Sequence, residues 1–178
     1  MKRLIMCEGP NELEIIRILL SYDMLIFGED ELIGLTPFHA RQIVSNSQVR
    51  TELNLYPEND VLIMRVGDKQ SDILKIPADY RHKIIGIEKY CTKPELEMLL
   101  IIAEGLLPKY EKTKSTVSPK DFAKANIKIG KKHYDNSSLF YRMYFGSTPE
   151  KLVEALIEYK QLRGSHKKDE RYLADLLK

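Results

Sequence analysis

The chain of 178 residues lacks most features of secreted and membrane-spanning proteins. Its two cysteines, Cys7 and Cys91, are too few for a disulfide framework or a zinc site. No stretch reaches the roughly 18 apolar residues of a membrane helix. The first apolar run meets Glu8 after four residues, which is too short for a secretion signal. We therefore expect a cytoplasmic protein in a reducing compartment, without a membrane partner.

Several catalytic motifs are also absent from the sequence. It contains no Ser-His-Asp order, no P-loop and no glycine-rich dinucleotide motif. It also lacks internal repeats and low-complexity tracts. The chemistry must therefore be sought among its carboxylates and its basic residues.

The charge is nearly balanced overall but is distributed unevenly. With 28 Lys and Arg against 26 Asp and Glu, the net charge of +2 argues against binding nucleic acid by excess charge alone. Residues 1–108, however, carry 12 basic and 17 acidic side chains, whereas residues 109–178 carry 16 basic and 9 acidic ones. We expect an acidic α/β core over 1–108 and a basic helical extension over 109–178 that packs on it, forming one compact domain.

Short apolar runs that end at turns alternate with amphipathic stretches. This alternation predicts a mainly parallel α/β sheet flanked by helices, with a helical C-terminal extension. The predicted strands are Leu4–Cys7, Val61–Val66 and Lys83–Glu88. Helices are predicted from Asn11 to Tyr22, His39 to Val49, Thr92 to about Leu107, Ser147 to Gln161 and Asp169 to Leu177, with another beginning near Ser118.

Acidic residues follow the predicted strands where parallel α/β sheets bind their ligands. Glu8 follows the first strand, Asp68 and Asp72 follow the second, and Glu95 and Glu97 follow the third. Converging carboxylates suit Mg²⁺, which takes oxygen ligands and is usually held by one or two carboxylates together with substrate phosphates. Such a cation polarises a phosphoryl oxygen and activates a water.

Each acid also has a structural interpretation. Glu8 could accept backbone N–H groups at the start of the following helix, and Glu12 could complement the dipole of that helix from its first turn. Asp68 and Asp72 could be turn and N-cap residues. Glu95 could complete a capping box that begins at Thr92.

The ordered set of acids resembles the Toprim domain of topoisomerases, primases and nucleases. Glu8-Gly9 follows the first strand, Asp68 and Asp72 follow the second, and Pro94-Glu95-Leu96-Glu97 opens an apolar helix. Over residues 1–107 the likeness is greatest to the small RloB-like and OLD-type nucleases of bacterial defence systems. Where Toprim domains usually carry Asp-x-Asp, this chain has Asp68-x-x-x-Asp72.

The resemblance implies a nuclease that depends on Mg²⁺ or Mn²⁺ and acts on RNA or DNA in phage defence, with a partner protein of such a system. It implies Glu8 and Glu97 as catalytic acids, and Asp68, Asp72 and Glu8 as metal-binding residues. A degenerate Toprim domain that binds nucleic acid or protein without cutting, as an accessory module, is the alternative.

The basic part interleaves cations with aromatic residues. Such a surface can neutralise phosphates and stack unpaired bases, although a solvated helical face is an equally good interpretation. Tyr134, Tyr141 and Tyr144 supply the aromatic rings. The expected nucleic-acid-binding residues are Lys128, Lys131, Lys132, His133 and Arg142. His39 and Arg41, in the acidic part, could also reach a phosphate or lie on a helix surface.

Overall fold

The structure is a computed structural model that describes residues 1–68, 73–93, 95–162 and 167–178. Its strands are β1 (Lys2–Cys7), β2 (Phe38–His39), β3 (Val61–Gly67), β4 (Ile84–Cys91), β5 (Lys128–Ile129), β6 (Lys132–His133) and β7 (Glu170–Tyr172). Five strands form one sheet in the order β2-β1-β3-β4-β7, and every neighbouring pair is parallel. The predicted α/β fold class with a parallel sheet flanked by helices is confirmed.

The helices are α1 (Pro10–Ser21), α2 (Ser47–Leu55), α3 (Met98–Ala103), α4 (Leu107–Glu111), α5 (Pro119–Asn126), α6 (Ser138–Phe145) and α7 (Pro149–Gln161). Short 3-10 segments cover Glu29–Glu31, Ile33–Leu35, Ala78–Lys83 and Leu173–Leu176. Proline is the first residue of α1, α5 and α7, where its missing N–H is not needed. Within the described ranges, no helix has both the length and the apolar character needed to cross a membrane.

Both faces of the sheet are buried at β1 and β3, which is why these central strands are mostly apolar, whereas β4 leaves Ile85 and Ile87 exposed. Ile5 and Cys7 of β1 face a large core that contains residues of α1, α3, α5, α6 and α7. Leu4 and Met6 face a smaller core with α2. Buried side chains of 109–178, such as Phe140, belong to the larger core. Helix α6 packs on α1 and helix α7 on α3, so the helices of the basic part cover this helical layer, and β7 joins the sheet itself.

The helix predicted over His39–Val49 is wrong. His39 ends β2, and the following Ala40 N–H still donates to Cys7 O at 3.0 Å, so the chain continues the ladder instead of turning into a helix. Helix α2 begins only at Ser47, because the Asn46 side chain caps it by accepting the Val49 N–H at 2.9 Å.

Two other helix predictions also need correction. The helix expected to run to Leu107 stops at Ala103, and Gly105 follows in the left-handed region with φ of 67°. The helix predicted from Asp169 to Leu177 is instead β7 followed by a 3-10 turn, because Glu170–Tyr172 pairs with Lys89–Cys91 at the sheet edge.

Candidate functional site

A cavity of about 350 Å³ opens at the carboxyl ends of the central strands. Five acids line it: Glu8 after β1, Glu12 in α1, Asp68 after β3, and Glu95 and Glu97 after β4. Parallel strands bring these ends together because all of them end at the same edge of the sheet. Asp72, the other metal-binding residue expected from the sequence, lies outside the described residues.

Glu8 is held over the end of β3. Its N–H donates to Val66 O at 2.8 Å, which places its side chain above Gly67. A Cβ on Gly67 would lie 2.6 Å from the Cβ of Glu8 and would also meet its carboxylate. Glycine is therefore required at this position by close approach rather than by backbone conformation. The N-cap of α1 is Gly9, one residue after Glu8.

Glu12 belongs to the same cluster of carboxylates. Burial is the main reason why the pKa of Glu12 rises to about 7, and a backbone hydrogen bond opposes this rise. The negative charges of Asp68, Glu8 and Glu97 raise the pKa further, so all four carboxyl groups interact electrostatically. The first-turn interpretation of Glu12 is correct but incomplete, because its side chain also faces the cavity.

Glu97 is the most enclosed of the acids, and the C-terminal part of the chain holds it. Its residue is 6% exposed, and its Oε1 accepts the Tyr134 hydroxyl at 2.8 Å. Burial, and after it the charge of Glu97, raise the pKa of Tyr134, so this phenol remains a donor. The Tyr141 hydroxyl lies 3.2 Å from that of Tyr134 and extends the network into the core.

The capping box expected at Thr92 and Glu95 is wrong, because helix α3 begins at Met98 with Glu97 as its N-cap. Glu95 instead accepts the backbone N–H of Lys120 at 3.0 Å, in the first turn of α5. Burial raises the pKa of Glu95, and the bond from Lys120 partly opposes this rise. Glu95 therefore joins the end of β4 to the start of the basic part.

Among the described residues, two cations stand beside these five acids. The Arg41 guanidinium lies 3.4 Å from Glu8 Oε1 and also donates from Nε to the Glu8 carbonyl at 3.3 Å. Lys120 lines the cavity from α5. Asn136 completes this side with φ of 61°, and its Oδ1 accepts from Asn11 Nδ2 at 3.2 Å. A conformation that is rare outside glycine is thus fixed at the rim of the cavity.

The acids offer an all-oxygen donor set of the kind that Mg²⁺ and Mn²⁺ prefer. Across the described ranges, no group of three or more His, Cys, Asp or Glu side chains is gathered closely enough to hold a metal ion. A site with one or two carboxylates, completed by waters and substrate phosphate, is compatible with this arrangement. Glu8, Glu12 and Asp68 are the residues that could provide it.

The basic residues expected to contact nucleic acid fall into two groups. Lys128, Lys131, Lys132 and His133 lie on the β5–β6 hairpin, which turns at Gly130 with φ of 58°. Arg142 lies on α6, where it makes a bidentate ion pair with the buried Glu14 at 2.7 and 2.8 Å. The hairpin runs directly into Tyr134 and Asn136, so it adjoins the cavity.

The expected stacking platform is wrong in one respect. Tyr134 and Tyr141 are buried, and their rings pack edge to face with centroids 5.8 Å apart. Tyr144 stacks on Phe140 and donates to Glu104. Tyr134 and Tyr141 therefore cannot serve as surface platforms for bases, and the half-buried Tyr144 is held by Phe140 and Glu104.

The sequence predicts that Glu8, Asp68 and Glu97 lie near one another and that Arg41 could reach a phosphate, but it does not assign Glu12, Lys120 or Tyr134 to the site. Lys120 lines the cavity and Tyr134 contacts Glu97 only through the packing of the C-terminal part, and no local pattern indicates these contacts. The position of Arg41 depends on β2, whose two residues carry no strand signal. Glu12 could have been assigned to the site, because it lies in the first turn of α1, whose N-cap Gly9 directly follows Glu8.

Comparison of the chain with protein-family models, with curated proteins and with solved structures finds no match. The case for a function therefore rests on the geometry of the cavity and on the order of the acids along the chain.

Proposed function

We propose that the chain is a Mg²⁺- or Mn²⁺-dependent phosphodiesterase of the Toprim type that cuts RNA or DNA. One observation carries the proposal: Glu8, Glu12, Asp68 and Glu97 face one cavity at the carboxyl edge of a parallel sheet. Their mutual repulsion needs a compensating positive charge, which a divalent cation would supply.

Glu8 and Asp68 are the proposed metal ligands, with Asp72 as a third suggested by the sequence alone. A bound cation would polarise the scissile phosphate and lower the pKa of the attacking water. Hydrolysis adds water across one P–O bond, so one group must accept the proton of that water and another must protonate the leaving oxygen. Glu8 and Glu97 are proposed for these proton transfers. Glu12, with a pKa of about 7, is suited to share them.

Arg41 and Lys120 have a role that follows from their charge. A phosphodiester entering a cavity lined by five acids is repelled unless cations stand beside them. Arg41 is exposed and Lys120 is half-buried, so both can turn toward a phosphate. The hairpin cations Lys128 and Lys131, which are also exposed, extend this positive surface away from the cavity.

The direct test is cleavage of labelled single- and double-stranded RNA and DNA by the purified protein. Cleavage should require Mg²⁺ or Mn²⁺, stop with excess chelator, and fall at least about a hundredfold in Glu8→Gln and Asp68→Asn. Glu58→Gln, which changes an exposed acid in a turn, is the matched control and should retain full activity. Equal cleavage by Glu8→Gln and Glu58→Gln would refute the proposal.

A non-catalytic binding module is the second candidate, and the Arg41 ion pair favours it. At 3.4 Å from Glu8, the guanidinium already offsets part of the charge that a cation would neutralise. This candidate predicts nucleic-acid binding with no rise in melting temperature on adding Mg²⁺ or Mn²⁺. The phosphodiesterase predicts a rise that Asp68→Asn abolishes.

The wider setting that we propose follows from the resemblance and from the cysteines. Cys7 and Cys91 are both free and buried, as suits a reducing cytoplasm. A role in phage defence, with a partner protein of that system, is proposed on the likeness to RloB-like and OLD-type nucleases alone. Loss of phage protection in a Glu8→Gln strain would support it, and unchanged protection would oppose it.

A further inference from the structure

A second and larger cavity lies beside the cavity that holds the acids. It has a volume of about 470 Å³ and is bounded by α1, β2, α2 and the 3-10 segment Ile33–Leu35. This volume is within the range of small-ligand pockets, about 300–1,000 Å³. Nothing in the proposed phosphodiesterase reaction uses it.

The lining of this second cavity suits one nucleotide. Leu13, Pro37 and Phe38 give it an apolar floor, while Gln48 and Thr51 of α2 offer donors and acceptors at the edge. An apolar wall with a few polar groups is the usual environment of a bound base.

Two nitrogen-bearing side chains, Arg17 of α1 and His39 of β2, line this cavity and are both exposed. Within the described part of the chain, no hydrogen bond or ion pair engages either side chain. Glu52 is the acid among the lining residues, and it lies against Gly34. A phosphate can therefore approach Arg17 and His39 from solvent.

The two cavities follow each other along shared elements. The N-cap Gly9 and the first residues of α1, as far as Glu12, line the first cavity, whereas Leu13 and Arg17 line the second. His39 is paired with Cys7 in the sheet, directly before Glu8, and Arg41 lines the first cavity two residues later. Leu13 directly follows Glu12, so the two cavities meet on α1, and from Glu12 to Arg17 the helix advances about 7.5 Å along its axis while turning by about 140°.

We propose that the second cavity is a nucleotide subsite that holds the residue next to the scissile phosphate of a single-stranded nucleic acid. Arg17 and His39 contact the flanking phosphate, and the base enters the recess between Phe38 and Gln48. A paired base cannot enter, because its edge is engaged with the opposite strand. This inference rests on the proposed function, because the position of the subsite next to the scissile phosphate is defined relative to the acids.

Fluorescence anisotropy in excess chelator tests the subsite without any cleavage. The probes are a labelled single-stranded RNA, a single-stranded DNA of the same sequence, and the matching DNA duplex. Arg17→Ala should weaken single-strand binding at least about fivefold and reduce the salt slope by about 1. His39→Ala should weaken it to a lesser degree.

Arg50→Ala is the matched control, because Arg50 is an exposed arginine of α2 that does not line the cavity. It should change single-strand affinity less than about twofold, and Arg17→Ala should change duplex affinity no more than Arg50→Ala does. The RNA and DNA arms decide which single strand the subsite prefers. Circular dichroism melting of each variant establishes that it is folded.

The inference is overturned if Arg17→Ala and Arg50→Ala lose the same single-strand affinity, or if Arg17→Ala loses as much affinity for the duplex as for the single strand. It is also overturned if the native chain does not bind a single strand. This failure is distinct from failure of the proposed function. A native chain that never cleaves, but whose single-strand binding depends on Arg17, would retain the subsite and lose the phosphodiesterase. If the native chain cleaves, but Arg17→Ala binds the single strand as tightly as the native chain does, the phosphodiesterase would stand and the subsite would be rejected.

Discussion

Replacing Glu12 by glutamine should change the way in which folding stability depends on pH. Burial and neighbouring carboxylates raise the pKa of Glu12 from its ordinary value of 4.5 to about 7 in the folded chain, against one opposing backbone hydrogen bond. Between these two values the unfolded chain loses the Glu12 proton and the folded chain retains it. The contribution of Glu12 to stability therefore falls as pH rises through this window and is constant well above pH 7.

The size of the effect follows from the difference between the two pKa values. At about 1.36 kcal/mol for each pKa unit, Glu12 ionisation costs about 3 kcal/mol of unfolding free energy at pH 8. Glutamine cannot ionise, so the unfolding free energy of Glu12→Gln does not include this loss. The unfolding free energy of the variant should rise relative to that of the native chain from about pH 4.5 to pH 7. Above this range the difference should stay constant.

Urea unfolding of the chelator-treated proteins, followed between about pH 4.5 and pH 8, measures this difference. Glu58→Gln serves as the control for the loss of one carboxylate, because Glu58 is exposed and does not line the cavity. If Mg²⁺ binds at the proposed site, adding it should reduce the advantage of Glu12→Gln, because a cation favours the ionised acid. A difference between Glu12→Gln and the native chain that is the same at every pH would refute the reasoning.

Two further changes test the packing around the site. Gly67→Ala places a Cβ 2.6 Å from the Cβ of Glu8, so it should lower the unfolding free energy by about 2 kcal/mol and abolish stabilisation by Mg²⁺ in a thermal melt. Lys93→Met removes the ammonium group that lies 2.7 Å from Oε1 of Glu170, which is 8% exposed, and should lower the unfolding free energy by about 3 kcal/mol in urea titrations.

Each of these changes has a matched control in the chain. Gly86→Ala in β4 meets only the flexible end of Leu62 at 3.3 Å, so it should lower stability far less than Gly67→Ala. Lys89→Met breaks an ion pair with the exposed Asp169 and should leave the urea midpoint nearly unchanged. If a control variant loses as much unfolding free energy as the variant it is paired with, the assigned contact does not explain the loss of stability.

The sequence predicts the strands that are long and apolar and misses those that are short. β1 and β3 are visible because both faces of the sheet bury their side chains, and β4 is visible as an apolar run although Ile85 and Ile87 are exposed. β2 has two residues and β7 has three, with charged or polar members, and only pairing with a neighbour makes them strands. Their local sequences cannot reveal that pairing, which is tertiary.

The same limit applies to the site. Glu8, Asp68 and Glu97 can be placed near one another from sequence because each follows a predicted strand of one parallel sheet. Tyr134 comes to Glu97 across 37 residues of chain, and only the packing of the basic part creates that contact. The second cavity depends on β2, so a pattern that predicts a helix over His39–Val49 conceals it.

A phosphorothioate substitution tests the central claim most directly, because it asks whether a metal ion contacts the scissile phosphate. Sulfur replaces one non-bridging oxygen at the linkage that the protein cuts, and cleavage is measured in Mg²⁺ and in Mn²⁺. Mg²⁺ prefers oxygen ligands, whereas Mn²⁺ accepts the softer sulfur better. The account predicts that cleavage of the sulfur-substituted strand is lost in Mg²⁺ and restored in Mn²⁺. Equal cleavage in both ions, or no cleavage of the unmodified strand in either, would contradict it.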